Sequence, residues 1–166
     1  ITVLEPSPLR FSLVIDSVSC YAGNDGQVVA SAKGGTPNYR YRWSNGQTGN
    51  MATGYAAGSH ALEVTDSLGC RAFSTFEVPQ PPPISIDSLP FARPTCPGEQ
   101  NGKITAFASG GTPSLTYYWS AQPGAQVGNL AAGTYTVTVE DANGCTAERD
   151  GVLPDPAPAR LFFSNI

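Results

Sequence analysis

Over most of its length this chain alternates apolar and polar residues with a period of two, and turn-forming residues break the pattern at roughly the 8–12-residue spacing of a small antiparallel sandwich. No stretch sustains a helical period. In QVVASAK, Val28, Ala30 and Ala32 alternate with Val29, Ser31 and Lys33, which predicts a strand with a small-residue inward face. In YRYRW, Tyr39, Tyr41 and Trp43 share one face while Arg40 and Arg42 share the other. The aromatic face is the core candidate and the arginines face solvent. A last hairpin follows. TYTVTVEDANGC places Tyr135, Val137 and Val139 inward and turns at Ala142-Asn143-Gly144, where Asn-Gly suits positive φ.

The pattern occurs twice. CYAGNDGQVVASAKGGTPNYRYRWS, starting at Cys20, returns as CPGEQNGKITAFASGGTPSLTYYWS, starting at Cys96. Ile104, Ala106 and Ala108 repeat the small-residue face, and Leu115, Tyr117 and Trp119 repeat the aromatic one. AAGSHALEVTDSLGC, ending at Cys70, returns as AAGTYTVTVEDANGC, ending at Cys145, with His60, Leu62 and Val64 in the inward positions and a turn at Ser67-Leu68-Gly69. Each copy closes on an apolar strand that runs into prolines, FEVPQPPP and GVLPDPAP, which act as short semi-rigid joints.

These elements predict an all-β chain of two tandem immunoglobulin-like antiparallel β-sandwich repeats. Residues 1–8 are expected to be the tail of a preceding repeat, 9–79 the first repeat, 80–83 a Pro-rich linker, 84–154 the second repeat, and 155–166 a linker and the start of a following repeat. ITVLEPSP reads as a third closing segment, and PARLFFSNI resembles SPLRFSLVI, so the expectation is a piece of a longer tandem array. The structural core is assigned to Trp43, Trp119, Tyr41, Tyr117, His60 and Tyr135. Trp43 and Trp119 take the place of the buried Trp on strand C of such sandwiches, and the AAG-x-[HY] segment resembles the corner where a Tyr hydroxyl braces strand F.

A repeat of this size buries a modest core and gains from a covalent staple. The four cysteines are assigned first to one pair per copy, Cys20 with Cys70 and Cys96 with Cys145. Each such loop closure contributes roughly 4 kcal/mol in the chain-entropy treatment. If the first strand runs the full height of the sandwich, the two positions lie at opposite ends, and pairing across the repeat junction or free thiols replaces that assignment.

Composition narrows the function. Charged residues are 13% of the chain, while 18 Gly and 15 Pro make it rich in turns. The net charge of -4 comes with no basic cluster, which excludes a phosphate-neutralising surface and therefore a nucleic-acid partner. No apolar run approaches the roughly 20 residues needed to span a bilayer, so no membrane insertion is expected. Four Cys beside a single Met fit an oxidising compartment.

The sequence has one histidine, His60, which sits on an inward strand face, so a His-dependent catalytic triad finds no support. The cysteines lack C-x-x-C spacing, which argues against zinc. Calcium is the one ion left open, through Asp25, Asp66 and Asp141 at turns, and the competing reading is that these side chains simply make the turns. Neither a helix nor a P-loop Lys follows GGTP, so it is not a phosphate cradle. No cofactor and no catalytic residue are assigned. Exposed aromatics, for which Tyr55 and Tyr118 are the candidates, would serve the alternative reading, a carbohydrate-binding or accessory immunoglobulin-like module of a secreted enzyme.

C-x(5)-G, GGTP, Y-x-W-S, A-A-G-x-[HY] and D-x-x-G-C, in that order and followed by a Pro-rich joint, resemble the SprB repeat, a tandem unit of gliding-motility cell-surface adhesins of Bacteroidetes. Departures are mild: His60 stands for the usual Tyr, and SAQPGAQ replaces the SNGQT hairpin. The resemblance implies an exported extracellular protein on the cell surface, secreted by the type IX system. It also implies neighbouring repeats as partners, multivalent contact with surface polysaccharide or substratum, and no catalytic residues.

Overall fold

A computed structural model describes residues 7–120 and 122–157. The segments expected to belong to neighbouring repeats fall largely outside these residues. The chain divides between Pro81 and Pro82 into two compact units, and no helix is present among the described residues.

The first unit contains β1 (Arg10–Asp16), β2 (Gly26–Lys33), β3 (Arg40–Trp43), β4 (Met51–Tyr55), β5 (Gly58–Thr65) and β6 (Arg71–Val78). One sheet has the order β1-β2-β4 and the other β3-β5-β6, every pair antiparallel. In immunoglobulin lettering this is A-B-E against C-F-G, so the fold is an immunoglobulin-like sandwich on strand order alone. Its core is Val18, Val28, Ala30, Trp43, Ala52, Tyr55, Leu62, Val64, Phe76 and Val78. Burying each larger aliphatic side chain contributes about 1.5–3 kcal/mol.

The second unit repeats this plan with breaks. It contains β7 (Ser85–Ser88), β8 (Phe91–Ala92), β9 (Gly102–Thr105), β10 (Phe107–Ser109), β11 (Thr116–Trp119), β12 (Gln122–Pro123), β13 (Gln126–Leu130), β14 (Gly133–Glu140) and β15 (Thr146–Leu153). The C-F-G sheet gains a short strand to become β12-β11-β14-β15. The A and B strands are each cut in two, giving β10-β7 and β13-β9-β8. Two causes are visible on the A strand. Pro90 cannot donate to a ladder, and a register shift pairs Phe107 with Ser88 but Ala108 with Ile86.

Bulges also decide which side chains enter the core. In β4 the register against β2 skips Gly54, whose φ is +75°, so Ala52 and Tyr55 are both buried although three residues apart. Tyr55, proposed from sequence as an exposed carbohydrate-binding aromatic, is therefore an interior residue, 1% exposed. Tyr118, the other candidate, is on the surface at 40%.

The assignment of one disulfide to each copy is also corrected. Cys70 and Cys96 carry free thiols, whereas Cys20 and Cys145 are disulfide-bonded. The reason is strand length. Cys20 lies beyond β1, in the loop where Val18 N–H donates to Pro79 O at the far end of β6, whereas Cys70 immediately precedes the first residue of β6. The eight residues of β6 separate the two positions by roughly 25 Å, against the less than about 7 Å between Cα atoms that a disulfide tolerates. Cys96 and Cys145 stand in the same relation about β15 (Thr146–Leu153).

Candidate functional site: the linker clamp at the upstream pole

Each unit has an upstream pole, where the chain comes in, and a downstream pole, where it leaves. The GGTP turn lies at the upstream pole, between β2 and β3 in the first unit and between β10 and β11 in the second. Gly34 and Gly35 adopt φ of +75° and +60°, and Gly110 and Gly111 adopt +79° and +63°. The first glycine of each pair lies directly under the incoming segment. A Cβ on Gly34 would sit 2.2 Å from Pro8 O, and one on Gly110 would sit 1.9 Å from Pro83 O. No other residue type fits there.

The second glycine grips the same segment. Gly35 N–H donates to Ser7 O at 2.6 Å, and Gly111 N–H donates to Pro82 O at 3.0 Å. The threonine then ties the turn to the last hairpin. Thr36 N–H donates to Asp66 Oδ2 at 2.9 Å and Thr112 N–H to Asp141 Oδ2 at 2.8 Å. In return, Thr36 O accepts from Ser67 N–H and Thr112 O from Ala142 N–H.

Asp66 and Asp141 are the hubs of this clamp. Asp66 Oδ1 accepts from Leu68 N–H at 3.0 Å and Cys70 N–H at 2.8 Å, and Asp141 Oδ1 accepts from Asn143 N–H and Cys145 N–H, both at 2.9 Å. Both side chains are buried, at 4% and 5% exposed. The bond from Thr36 or Thr112 holds each carboxyl below the usual carboxylate value, against the opposing effect of burial, and the hairpin N–H bonds add to it. Asp25, the third acidic turn residue, is occupied in the same way. It accepts from Ser19 N–H at 2.9 Å and from the Ser19 hydroxyl, and these bonds lower its pKa.

These carboxylates are engaged by backbone N–H groups and, at Asp25, by a hydroxyl. Among the described residues no group of three or more His, Cys, Asp or Glu is placed to hold a metal.

The remaining sequence-assigned residues are structural in position. Trp43 and Trp119 are each 2% exposed, and Tyr41 and Tyr117 pack half-buried against the two cores. Tyr135 donates its hydroxyl to Ala131 O at 3.0 Å, a bond four residues back that braces the start of β14. His60 makes the corresponding bond in the first unit. Its Nε2 lies 2.9 Å from Ala56 O, which places the ring proton on that nitrogen, and its ring packs on Tyr55 and Phe76. Sequence reasoning missed the clamp itself. The signal available was that GGTP and D-x-x-G-C both recur, although they lie far apart in the chain.

One further surface bears on function. The outer face of β3, β5 and β6 carries a groove of about 410 Å³ lined by Arg40, Arg42, Thr48, Glu63, Thr65 and Arg71, with Arg71 paired to Glu63 at 3.1 Å.

The SprB repeat family profile matches residues 12–48 and 93–123. One matched segment falls in each unit, so each is similar to the SprB repeat over that stretch. The two matched segments run from the first strand of each unit, or the loop after it, through GGTP into the hairpin that follows the buried Trp. The comparison with curated proteins gives no match.

Solved structures similar to the chain include the C-terminal 282-residue fragment of intimin, determined in complex with the intimin-binding domain of the translocated intimin receptor. It is 16% identical, covers 91% of this chain and 64% of the fragment, and has a TM-score of 0.46. The IG1+IG2 segment of DIP-gamma is 11% identical over 91% of this chain and 99% of that one, with a TM-score of 0.41. Extracellular domains 3–5 of Drosophila OTK are 16% identical over 89% of this chain and 62% of that one, with a TM-score of 0.39. The chain thus spans less than two thirds of the intimin and OTK chains. No helix among the described residues is long and apolar enough to cross a membrane.

Proposed function

We propose that the chain is a stalk segment of a large secreted cell-surface adhesin, exported by the type IX system of a gliding member of the Bacteroidetes. Its SprB repeats would space and stiffen the adhesin rather than catalyse. The observation that carries this reading is the duplicated clamp. Each unit spends residues that both copies share, GGTP and a buried Asp, on fastening the segment that enters it. A joint held by backbone hydrogen bonds transmits load and sets the reach of an array, which is what a stalk requires. The disulfide-bonded Cys20 and Cys145 support an oxidising, extracellular setting. Neighbouring repeats are the immediate partners, and surface polysaccharide or substratum is met through many weak contacts.

The three-arginine groove favours a second reading, in which the first unit binds an acidic polysaccharide. Titration of immobilised alginate with the chain separates the two readings. The stalk reading expects only weak binding that does not saturate, whereas saturable binding lost in Arg40→Ala/Arg42→Ala would replace the spacer with a binding module. Antibody against the chain should label intact cells of the source without permeabilisation, and labelling only after lysis would overturn surface display.

A further inference from the structure

Sorted by pole, the four cysteines fall into two kinds. Cys70 and Cys145 close the last hairpin turn at the upstream pole, each with its N–H on the clamp aspartate. Cys20 and Cys96 sit in the loop after the first strand at the downstream pole, and each offers its carbonyl to a turn N–H three residues on, Gly23 or Glu99. One of each kind is oxidised, the downstream Cys20 and the upstream Cys145. One of each kind is a free, exposed thiol, the upstream Cys70 and the downstream Cys96. Strand length forbids closure within a unit, as shown above.

We propose that Cys70 and Cys96 are linkage sites for further copies of this repeat. Cys70 forms a disulfide with the downstream-pole cysteine of a preceding copy, and Cys96 forms one with the upstream-pole cysteine of a following copy. The oxidised state of their repeat equivalents shows that both positions support disulfide chemistry. Their exposure leaves them open to a partner outside their own unit. An array built this way carries a covalent staple wherever one copy of the chain follows another, and that junction is held by a disulfide as well as by the chain and the clamp.

The reaction balances as thiol–disulfide exchange. The Cys70 thiolate attacks a disulfide oxidant such as oxidised glutathione, forming a mixed disulfide and releasing one glutathione thiolate. The Cys96 thiolate of the second copy then displaces the other. Two thiols lose two protons and two electrons, and the oxidant is reduced to two thiols.

The proposal rests on the tandem-repeat reading, and its test involves neither surface display nor adhesion, so the two can fail separately. Cys70→Ser and Cys96→Ser variants of the whole chain are incubated in glutathione redox buffer, alone and as an equimolar mixture, and run on non-reducing gels. The mixture is expected to double in mass while each variant alone stays monomeric. Tryptic mapping of the dimer should recover the Cys96 peptide of one variant joined to the Cys70 peptide of the other. Dimers formed as readily by one variant alone, a mixture that stays monomeric, or linkage through Cys20 or Cys145 would each overturn the proposal.

Discussion

The first unit fills one end of its core with a ring cluster. Trp43 and Tyr55 meet Phe76 edge-on, with centroids 5.8 Å and 5.5 Å apart, and Tyr55 lies 4.4 Å from His60. At the corresponding positions the second unit has Leu130, Gly151 and Tyr135. A Cβ on Gly151 would meet Leu89 at 3.3 Å and Ile104 at 3.6 Å, so aliphatic side chains from the broken A strand and from β9 occupy the space that Phe76 takes in the first unit. The outer faces diverge more freely. Arg40, Arg42 and Arg71 on the first face give way to Thr116, Tyr118 and Thr146 on the second. The clamp keeps GGTP and its Asp in both copies, with the same set of backbone hydrogen bonds. Cores can be refilled by compensating volumes and outer faces answer only to solvent, but the incoming backbone segment leaves one solution for the turn that grips it.

The largest effects should come from the shared tryptophans. Trp43→Ala and Trp119→Ala each remove a large buried ring and are expected to cost about 3–5 kcal/mol in their own unit, read as loss of one of two calorimetric transitions. Replacement by Phe sharpens the comparison. The Trp43 indole N–H donates to Gly49 O at 2.8 Å, whereas the buried Trp119 N–H has no partner among the described residues. Trp43→Phe should therefore cost about 1 kcal/mol more than Trp119→Phe. Equal losses would show that the bond does not distinguish the two units.

Next come the clamp glycines. Gly34→Ala and Gly110→Ala should each impose backbone strain of about 1–2 kcal/mol and, in addition, force the incoming segment away from contacts of 2.2 Å and 1.9 Å. Gly46→Ala, at φ +85° with no atom within 4 Å of the new Cβ, should show the strain alone. Amide hydrogen exchange at Gly35 and Gly111 reads the difference, because only the clamp variants release those N–H groups. If Gly46→Ala exposed them equally, the turn would not be holding the linker.

Asp66 and Asp141 give a test by pH. Their folded pKa values lie below those of the unfolded chain, because the carboxylate form accepts three backbone N–H bonds. The stability they contribute is then fully present above the usual carboxylate value of about 3.9 and is lost as pH falls through the depressed folded values. Denaturant midpoints measured between neutral pH and pH 3 should fall for the native chain and fall less for Asp66→Asn or Asp141→Asn, which start lower. Parallel curves would remove both carboxylates from the acid response.

Much of this was legible in sequence, because period-two alternation, Gly-containing turns and a duplicated pattern each have one simple structural meaning. The two sandwiches follow from the duplicated pattern and its turns, and the inward Trp43 and Trp119 and the solvent-facing arginines from alternation. Bulges leave no mark in the pattern: one skipped residue at Gly54 turns Tyr55 into the core, which is why it stood among the exposed aromatics in the sequence reading. Cysteine pairing failed for a different reason. Recurrence within each copy says that two positions are both needed, but whether they meet depends on which end of an eight-residue strand each one occupies. The clamp escaped because its halves are 30 and 29 residues apart in the two copies and only the folded turn brings Thr36 to Asp66 and Thr112 to Asp141.

The smallest effects concern the strand-entry brace, where the two units use different chemistry for one bond. Tyr135→Phe deletes the hydroxyl that donates to Ala131 O and should cost about 1 kcal/mol. His60→Tyr asks whether the first unit accepts the second unit's solution. The carbonyl of Ala56 is four residues back in both arrangements, so a Tyr hydroxyl has the same acceptor to reach. The ring must also pack on Tyr55 and Phe76, which the second unit does not have. If the brace dominates, His60→Tyr leaves the first unit's transition within about 1 kcal/mol of native. If fit to the ring cluster dominates, the loss approaches that of His60→Ala, and adding Phe76→Gly to the same chain should recover part of it. That recovery would show that His60 is set by the bulk of Phe76 rather than by the bond it makes.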